Sequence, residues 1–497
     1  MMKRIIALVL LLCMVLPLCA CPAQTEPGKG PGGETGAVTW PDAVGEKNYN
    51  GEELVISVMD NFEYEIFGED ESEDTLDQLL WKRDRALQER FNVSLVSAPS
   101  QSLGPTDESS HYEDVQEALM RGEQEFDVIA MFAFQSGKLI TEGYYLNWRN
   151  DIPYCKDSIK AGADWWPAGI NTDSTVAGAQ YVAVSDLCIT AIERAWCMAF
   201  NKDIAEQYNF AKTAGGTSMY DLVDRGLWTL PTLMTLTKDF KLEGTSPTDE
   251  GTYGLMVYSN TGVDAFAFSF GFHYIDNDGE NYPELWVPSL SVYTAIEDLR
   301  ELSQSVGCYF DTTHTYEEQT AFFAERHAVF ATLTLDQFKT DIIHEMEDKY
   351  GVLPYPMLNV DQKKYLSGSK DNYSVLSVPY TAYDLDKVGA VIEALSAYNN
   401  VNVNDQYYEA IVTHKNTRDP DSVRMIDKIM EGRVYDLSTY HYNDLVISWT
   451  DSESSLGLFF RYCLKNPTAD ASSYWQSCTG YLPDDLLDLI QEYEELA

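Results

Sequence analysis

Basic residues are scarce: 34 lysines and arginines stand against 79 aspartates and glutamates, a formal net charge of −45 with neutral histidines. A field of that sign repels phosphate backbones and anionic lipid headgroups, which excludes nucleic-acid binding. The seven histidines, at 111, 273, 314, 327, 344, 414 and 441, nowhere form H-E-x-x-H or another ligand spacing, so no metal site is expected. No G-x-S-x-G nucleophile elbow occurs. After Leu18 no apolar run approaches the roughly 20 residues that a membrane span requires. Cysteine is sparse and forms no C-x-x-C pair. Beyond Cys13, Cys19 and Cys21 there are six, at 155, 188, 197, 308, 463 and 478, an even number consistent either with one or two disulfides or with buried thiols. Cys463 with Cys478 is the first bridge to look for.

Two apparent motifs fail on inspection. Gly28 and Gly33 have the spacing of a phosphate-binding loop, but Glu34 and Thr35 follow where Lys and Ser or Thr are needed, and a carboxylate there repels phosphate. Asp276 to Glu280 resembles a calcium loop, yet Gly279 is its fourth residue rather than its sixth, so a hairpin turn is expected.

What is present begins at the N-terminus. Lys3 and Arg4 precede the apolar run Ile5 to Leu18, too short for a permanent span, which reads as a signal peptide. Leu18-Cys19-Ala20-Cys21 resembles the bacterial lipobox, which implies cleavage after Ala20 and a diacylglycerol on the Cys21 thiol. Several acyl chains anchor durably where one does not. Residues 21–50, rich in Gly, Pro and Glu, are expected to form a flexible tether. Removing residues 1–20 takes away Lys3 and Arg4 and leaves 32 basic against 79 acidic residues, a charge of −47.

From Glu53 the pattern alternates. Leu54 to Val58, Val93 to Val96 and Phe126 to Met131 are β-branched and mostly apolar runs, as expected of parallel strands covered on both faces. Glu73 to Arg90, with Leu76, Leu79, Leu80 and Leu87 at helical spacing, and Tyr112 to Arg121 are the intervening helices. Ala195 to Phe200 is a further strand, and Asn201 is placed to cap the helix that follows. Gly226 stops one helix, and Thr229 with Pro231 in the first turn starts the next.

The ordered series WKRDRALQERFNVSLV, FDVIAMFAFQSGKLITEGYYLNW, AWCMAFNKDIAEQYN, DLVDRGLWTLPTL, GTYGLMVYSN, AERHAVFATL, YGVLPYPMLN and YSVLSVPYTAYDLDKVGAVIEAL resembles the extracellular solute-binding proteins of ABC importers, family 1, over residues 50–400. That resemblance implies an α/β, two-lobed clamp of the periplasmic-binding-protein type. Each lobe would be a mostly parallel sheet flanked by helices, with hinge crossings near 183–192, 305–316 and 365–378. Residues 51–188 with 312–368 would form the first lobe, and 189–311 with 369–497 the second with C-terminal helices.

Ligands of open α/β sheets sit outside the carboxyl ends of the strands. The strand ending at Met131 delivers Phe132, Phe134 and Gln135 to that edge, and Ser185 and Asp186 fall on the first expected crossing. Ser259, Asn260, Phe268 and Phe270 border the GTYGLMVYSN strand, and Asp336 follows AVFATLT. Aromatic faces suit the C–H sides of pyranose rings, and short polar groups fix hydroxyls. Trp81 and Trp228, on or beside helices, are set aside as structural.

The resemblance implies a monomeric, cofactor-free receptor on the outer face of a bacterial membrane, held by its lipid, that delivers a small molecule, in many relatives a sugar, to ABC permease subunits. A peptide- or cation-binding clamp would suit the negative field. A secreted lipoprotein glycoside hydrolase is the enzymatic alternative, although carboxylates are too numerous to single out a catalytic pair.

Overall fold

The computed structural model describes residues 39–70, 72–100, 108–244, 251–413, 419–441, 444–445, 456–478, 480 and 482–496. The leader, Cys21 and most of the expected tether lie outside these residues. Among the described residues no helix is long and apolar enough to cross a membrane.

The strands, in chain order, are β1 (Glu52–Met59), β2 (Val93–Ser100), β3 (Val128–Phe132), β4 (Thr175–Val176), β5 (Ala179–Gln180), β6 (Trp196–Asn201), β7 (Lys241–Leu242), β8 (Thr252–Tyr258), β9 (Ile275–Asp276), β10 (Glu284–Leu285), β11 (Cys308–Asp311), β12 (Ala328–Thr334), β13 (Tyr350–Leu353) and β14 (Ser374–Ser377). Two sheets organise them, one per lobe. The first has the order β14-β3-β1-β2, with β1 parallel to β2 and β3 and with β14 antiparallel to β3. The second has the order β11-β8-β12-β6-β13, with β7 added to β8. Its β8 runs parallel to β11 and β12, while β6 is antiparallel to β12 and β13. The central strands are buried and mostly apolar, as strands covered on both faces are; all seven residues of β12 are buried, Thr332 and Thr334 among them.

Local signals act as their chemistry dictates. Asp74 caps the helix Thr75–Phe91 by accepting from the Leu76 and Asp77 amides, and Leu76, Leu79, Leu80 and Leu87 form its buried face. Asn201 Oδ1 accepts from the Ile204 amide at 2.9 Å. Gly226, at φ +65°, ends the turn after Met219–Asp224, and Thr229 precedes Leu230–Thr237. The Asp276–Glu280 stretch is the expected hairpin, closed by β9 and β10, with Asp278 accepting from the Glu280 and Asn281 amides. Trp228 is structural: it is fully buried and donates to the Pro354 carbonyl at 2.8 Å.

Four expectations about organisation need correction. Residues 39–50 are docked rather than flexible: Trp40 packs on Phe91 and Tyr398, and Asp42 pairs with Arg90 at 2.6 Å. The expected division at 312–368 is reversed by the pairing, because β12 and β13 complete the second sheet and β14 belongs to the first. No crossing occurs near 305–316, since β11 and β12 share a sheet. The third crossing instead follows the helix Leu385–Asn402, which packs on Thr75–Phe91 and β1, whereas Asn404–Ile411 packs on Leu335–Lys339 beside β12. The C-terminal helices also serve both lobes: Leu437–Tyr440 and Leu482–Leu496 rest on the first-lobe helix Ala133–Thr141, while Phe459–Lys465 rests on Thr261–Ser269.

Cys155, Cys188, Cys197 and Cys308 are buried thiols, and Cys463 is buried as well. The Cys478 side chain lies outside what is described, and with it the expected Cys463–Cys478 bridge.

Candidate functional site

Two strands of chain cross between the lobes side by side. Ala183 bridges to Leu376 at the first-lobe end, and Ala195 bridges to Ser369 at the second-lobe end. Glu65, at the end of the turn of helix that follows β1, pins both. One carboxylate oxygen accepts from the Thr190 amide at 3.1 Å and the Thr190 hydroxyl at 2.7 Å, and the other accepts from the Ser374 hydroxyl. Glu65 is fully buried, and burial pushes its carboxyl up to about 7 against the pull of those hydrogen bonds. Beside it Glu193 ties the lobes, accepting from Tyr64 of the first at 2.6 Å and from Lys339 of the second at 2.7 Å.

The wall contributed by the first lobe is aromatic. Phe62 meets Phe132 edge to face at 4.9 Å, and Phe132 stacks against Phe134 at 6.0 Å. The opposite wall is polar. The Arg194 guanidinium lies 5.9 Å from the Phe62 ring and forms an ion pair with Asp336, which also accepts from the Thr334 hydroxyl. Lys370 follows on the returning crossing, its Nζ 4.1 Å from the Tyr316 ring centre and 5.7 Å from that of Trp196. Its amide donates to the Arg194 carbonyl at 3.1 Å.

A narrow cavity of about 50 Å3 continues from Lys370, lined among others by Trp196, Asp264, Phe268, Asp371, Ser438 and Arg461. Arg461 Nε donates to Asp264 at 3.1 Å. Phe268 reaches the hinge because residue 368 is glycine: a Cβ there would lie 2.6 Å from the Phe268 ring. Burial pushes the Asp264 and Asp371 carboxyls up, with Arg461 opposing in both cases. Burial likewise lowers Lys370 to about 8; Arg194 adds to that lowering, and Asp336 and Asp371 oppose it. The Tyr316 phenol is held well above its usual value by burial and by the Asp336 charge.

The site expected from the sequence is assembled in part. Phe132 is buried between Phe62 and Phe134, Asp336 pairs with Arg194 beside Phe62, and Phe268 lines the narrow cavity. Phe134 and Gln135 sit in the first turn of the helix Ala133–Thr141 rather than in a loop, because helix follows β3 directly. Ser185 and Asp186 do lie on a crossing, but their polar groups are consumed inside the protein. Ser185 Oγ is 2.8 Å from Ser396, and Asp186 accepts from Asn400 at 2.7 Å beside Arg433 at 3.7 Å. Ser259 is buried and its amide donates to Asp311. Phe270 is a core residue between Phe266 and Phe272. Asn260 donates to Tyr258 at 3.2 Å and precedes the helix Thr261–Ser269, whose Asp264 and Phe268 face the cavity. Arg194, Trp196, Lys370 and Asp371 were missed, although all four flank expected crossings, and a charge placed on a hinge was the signal available.

Larger cavities of about 500 and 520 Å3 occur elsewhere, one beside Arg225, Lys363 and Lys428, the other beside Glu53, Asp127 and Lys387. Each of these two is lined by a single lobe, so a ligand in it would not favour closure over opening; a third, of about 480 Å3 beside Val176, Tyr282 and Tyr493, has none of the hinge residues Arg194, Asp336 or Lys370 in its lining.

No known family model matches the chain, and no curated protein matches it. Solved structures do. The chain is similar to the sugar-binding protein MalE from the phytopathogen Xanthomonas citri, at 11% identity and a TM-score of 0.55, over 89% of this chain and 99% of that one. It is similar to a cyclo/maltodextrin-binding protein complexed with maltotetraose, at 11% identity and a TM-score of 0.53, over 91% and 98%. The GacH receptor of Streptomyces glaucescens, solved without ligand and with acarbose, gives 12% identity and a TM-score of 0.50 over 88% and 99%. At these identities the likeness is one of fold, and the chain has the two-lobed α/β clamp fold of these binding proteins.

Proposed function

We propose that this protein is a solute receptor of an ABC importer, anchored outside a bacterial cell through Cys21, that captures a carbohydrate by closing its lobes around it. The observation that carries this reading is the meeting of unlike walls at the hinge: Phe62 of one lobe, backed by Phe132 and Phe134, lies 5.9 Å from the guanidinium of Arg194, which pairs with Asp336 and stands beside Lys370 on the other side. A sugar offers both complements, apolar C–H faces and hydroxyls. The similarity to sugar-binding clamps supports the same class. Small-molecule sites begin near 300 Å3, well above the cavity at the hinge, so the lobes must part to admit a ligand and then close on it. Closure needs contacts that exist only when both walls touch the ligand. No covalent chemistry is part of this reading.

A ligand that binds only folded protein stabilises it by RT ln(1 + [L]/Kd), about 2.7 kcal/mol at a hundredfold excess over Kd. A thermal-shift panel of neutral and acidic mono- and oligosaccharides is expected to find at least one stabiliser. A response confined to peptides or amines would replace the carbohydrate with the alternative clamp. Cys21→Ser is expected to release the protein into the medium, and full retention in the membrane fraction would refute the anchor.

A further inference from the structure

Charge in the cleft is divided unevenly. At one end Arg194 and Lys370 are adjacent cations, and the one carboxylate between them, Asp336, is engaged by Arg194 and Thr334. Lys370 Nζ has no carboxylate within ion-pair distance and no hydrogen-bond acceptor among the described residues; it rests on the rings of Tyr316 and Trp196. Arg194 Nε is a buried donor without an acceptor. At the other end the balance reverses: Asp264 is held by Arg461, with the Lys465 charge also acting on it, and Asp371 lies buried nearby, the Arg461 and Lys370 charges opposing the effect of its burial. Recessed cations in a chain with 45 surplus negative charges normally take a carboxylate partner. Here the positive end lacks an acceptor while, at the negative end, Asp371 has no ion-pair partner among the described residues.

Resting on the carbohydrate reading, we propose that the ligand is an acidic sugar of the hexuronate type, whose carboxylate is received by Lys370 and Arg194 while Asp371 and Asp264 accept its hydroxyls. The ring lies between these groups and the first-lobe aromatic wall, whose Phe62 ring is 5.9 Å from the Arg194 guanidinium. Charge-assisted bonds to a carboxylate are about twice as strong as neutral ones, and burial weakens competition from water. The chain's overall field opposes an anion, but at physiological ionic strength it is screened beyond about 8 Å, inside which the local cations dominate. Burial and Arg194 lower Lys370 to about 8, against Asp336 and Asp371, while the uncharged Tyr316 ring faces its Nζ. Anion binding favours its charged form, so affinity for the acid falls as pH rises through 8.

The test is calorimetry on the intact mature protein with galacturonate and glucuronate oligomers of one to four units and with their methyl esters, which keep shape and lose charge. At least one acid is expected to bind tenfold or more tighter than its ester. The preference should disappear in Lys370→Met, survive in Lys370→Arg, and diminish between pH 7 and 9 in the parent. Because the acid-to-ester comparison is made on the unaltered protein, it holds whether or not a variant folds. Neutral esters or neutral oligosaccharides binding as tightly as the acids would overturn this inference and leave the sugar receptor standing. Failure of every carbohydrate, acidic or neutral, would overturn the receptor reading and this inference with it.

Discussion

The two walls of the cleft are built from different materials. The first-lobe wall is an extension of its own core: Phe132 closes β3 and is 1% exposed, while Phe134 two residues later is half-buried. The second-lobe wall consists of charges brought in from separate places, Arg194 from one crossing, Lys370 from the other and Asp336 from the end of β12. An aromatic wall obtains its position from the packing behind it, so position and stability are inseparable there. A charged wall obtains its position from pairing and can change composition without disturbing the core. The difference implies that a substitution on the first wall affects folding before it affects binding, except at its outermost ring.

Phe132→Ala tests the inner limit of that statement and should have the largest effect. Removing a buried phenylalanine costs about 3–5 kcal/mol of folding free energy, measurable by denaturant unfolding. A loss below about 1 kcal/mol would show that Phe132 does not belong to the core.

The joint that holds the walls in register comes next. Glu65 has a folded value of about 7 against 4.5 ordinarily, so between those limits the native chain retains a proton that the unfolded chain has lost. Its contribution to stability is complete below about pH 4.5 and is lost as pH rises through 7. Glu65→Gln should flatten that dependence, reducing the fall in stability between pH 5 and 8 by up to about 3 kcal/mol. An unchanged pH profile would mean that Glu65 is not the titrating group.

Phe134→Ala sharpens the outer limit and should have the smallest effect on folding. Loss of a stacking ring worth about 1–3 kcal/mol lowers affinity for the bound sugar about tenfold or more. A drop in unfolding midpoint with affinity unchanged would assign Phe134 to the core with Phe132.

Much of the first lobe was legible because its signals are local. The β1–helix–β2 unit announces itself through continuous apolar strands and leucines at helical spacing, and Asn201, Gly226 and Thr229 act within four residues of themselves. Lobe membership of β12, β13 and β14 was not legible, since all three are uniformly buried and only long-range pairing separates them: β14 joins β3 across hundreds of residues. The same cause misled at Asp186. A polar residue on a hinge reads as a ligand contact until Asn400, 214 residues later, and Arg433 occupy it. The strand-end rule located the Phe132–Phe134 pair at the end of β3, whereas the charged cluster depended on which crossings become neighbours.

The central claim is that ligand joins the two walls, and inter-lobe distance tests it most directly. Spin labels on cysteines introduced at exposed Met120 of the first lobe and Val306 of the second would report that distance, the described native thiols being buried. Saturation with the sugar found in the panel should shift the distribution to a shorter, narrower distance. Calorimetric binding of that sugar with the distribution unchanged would contradict the account.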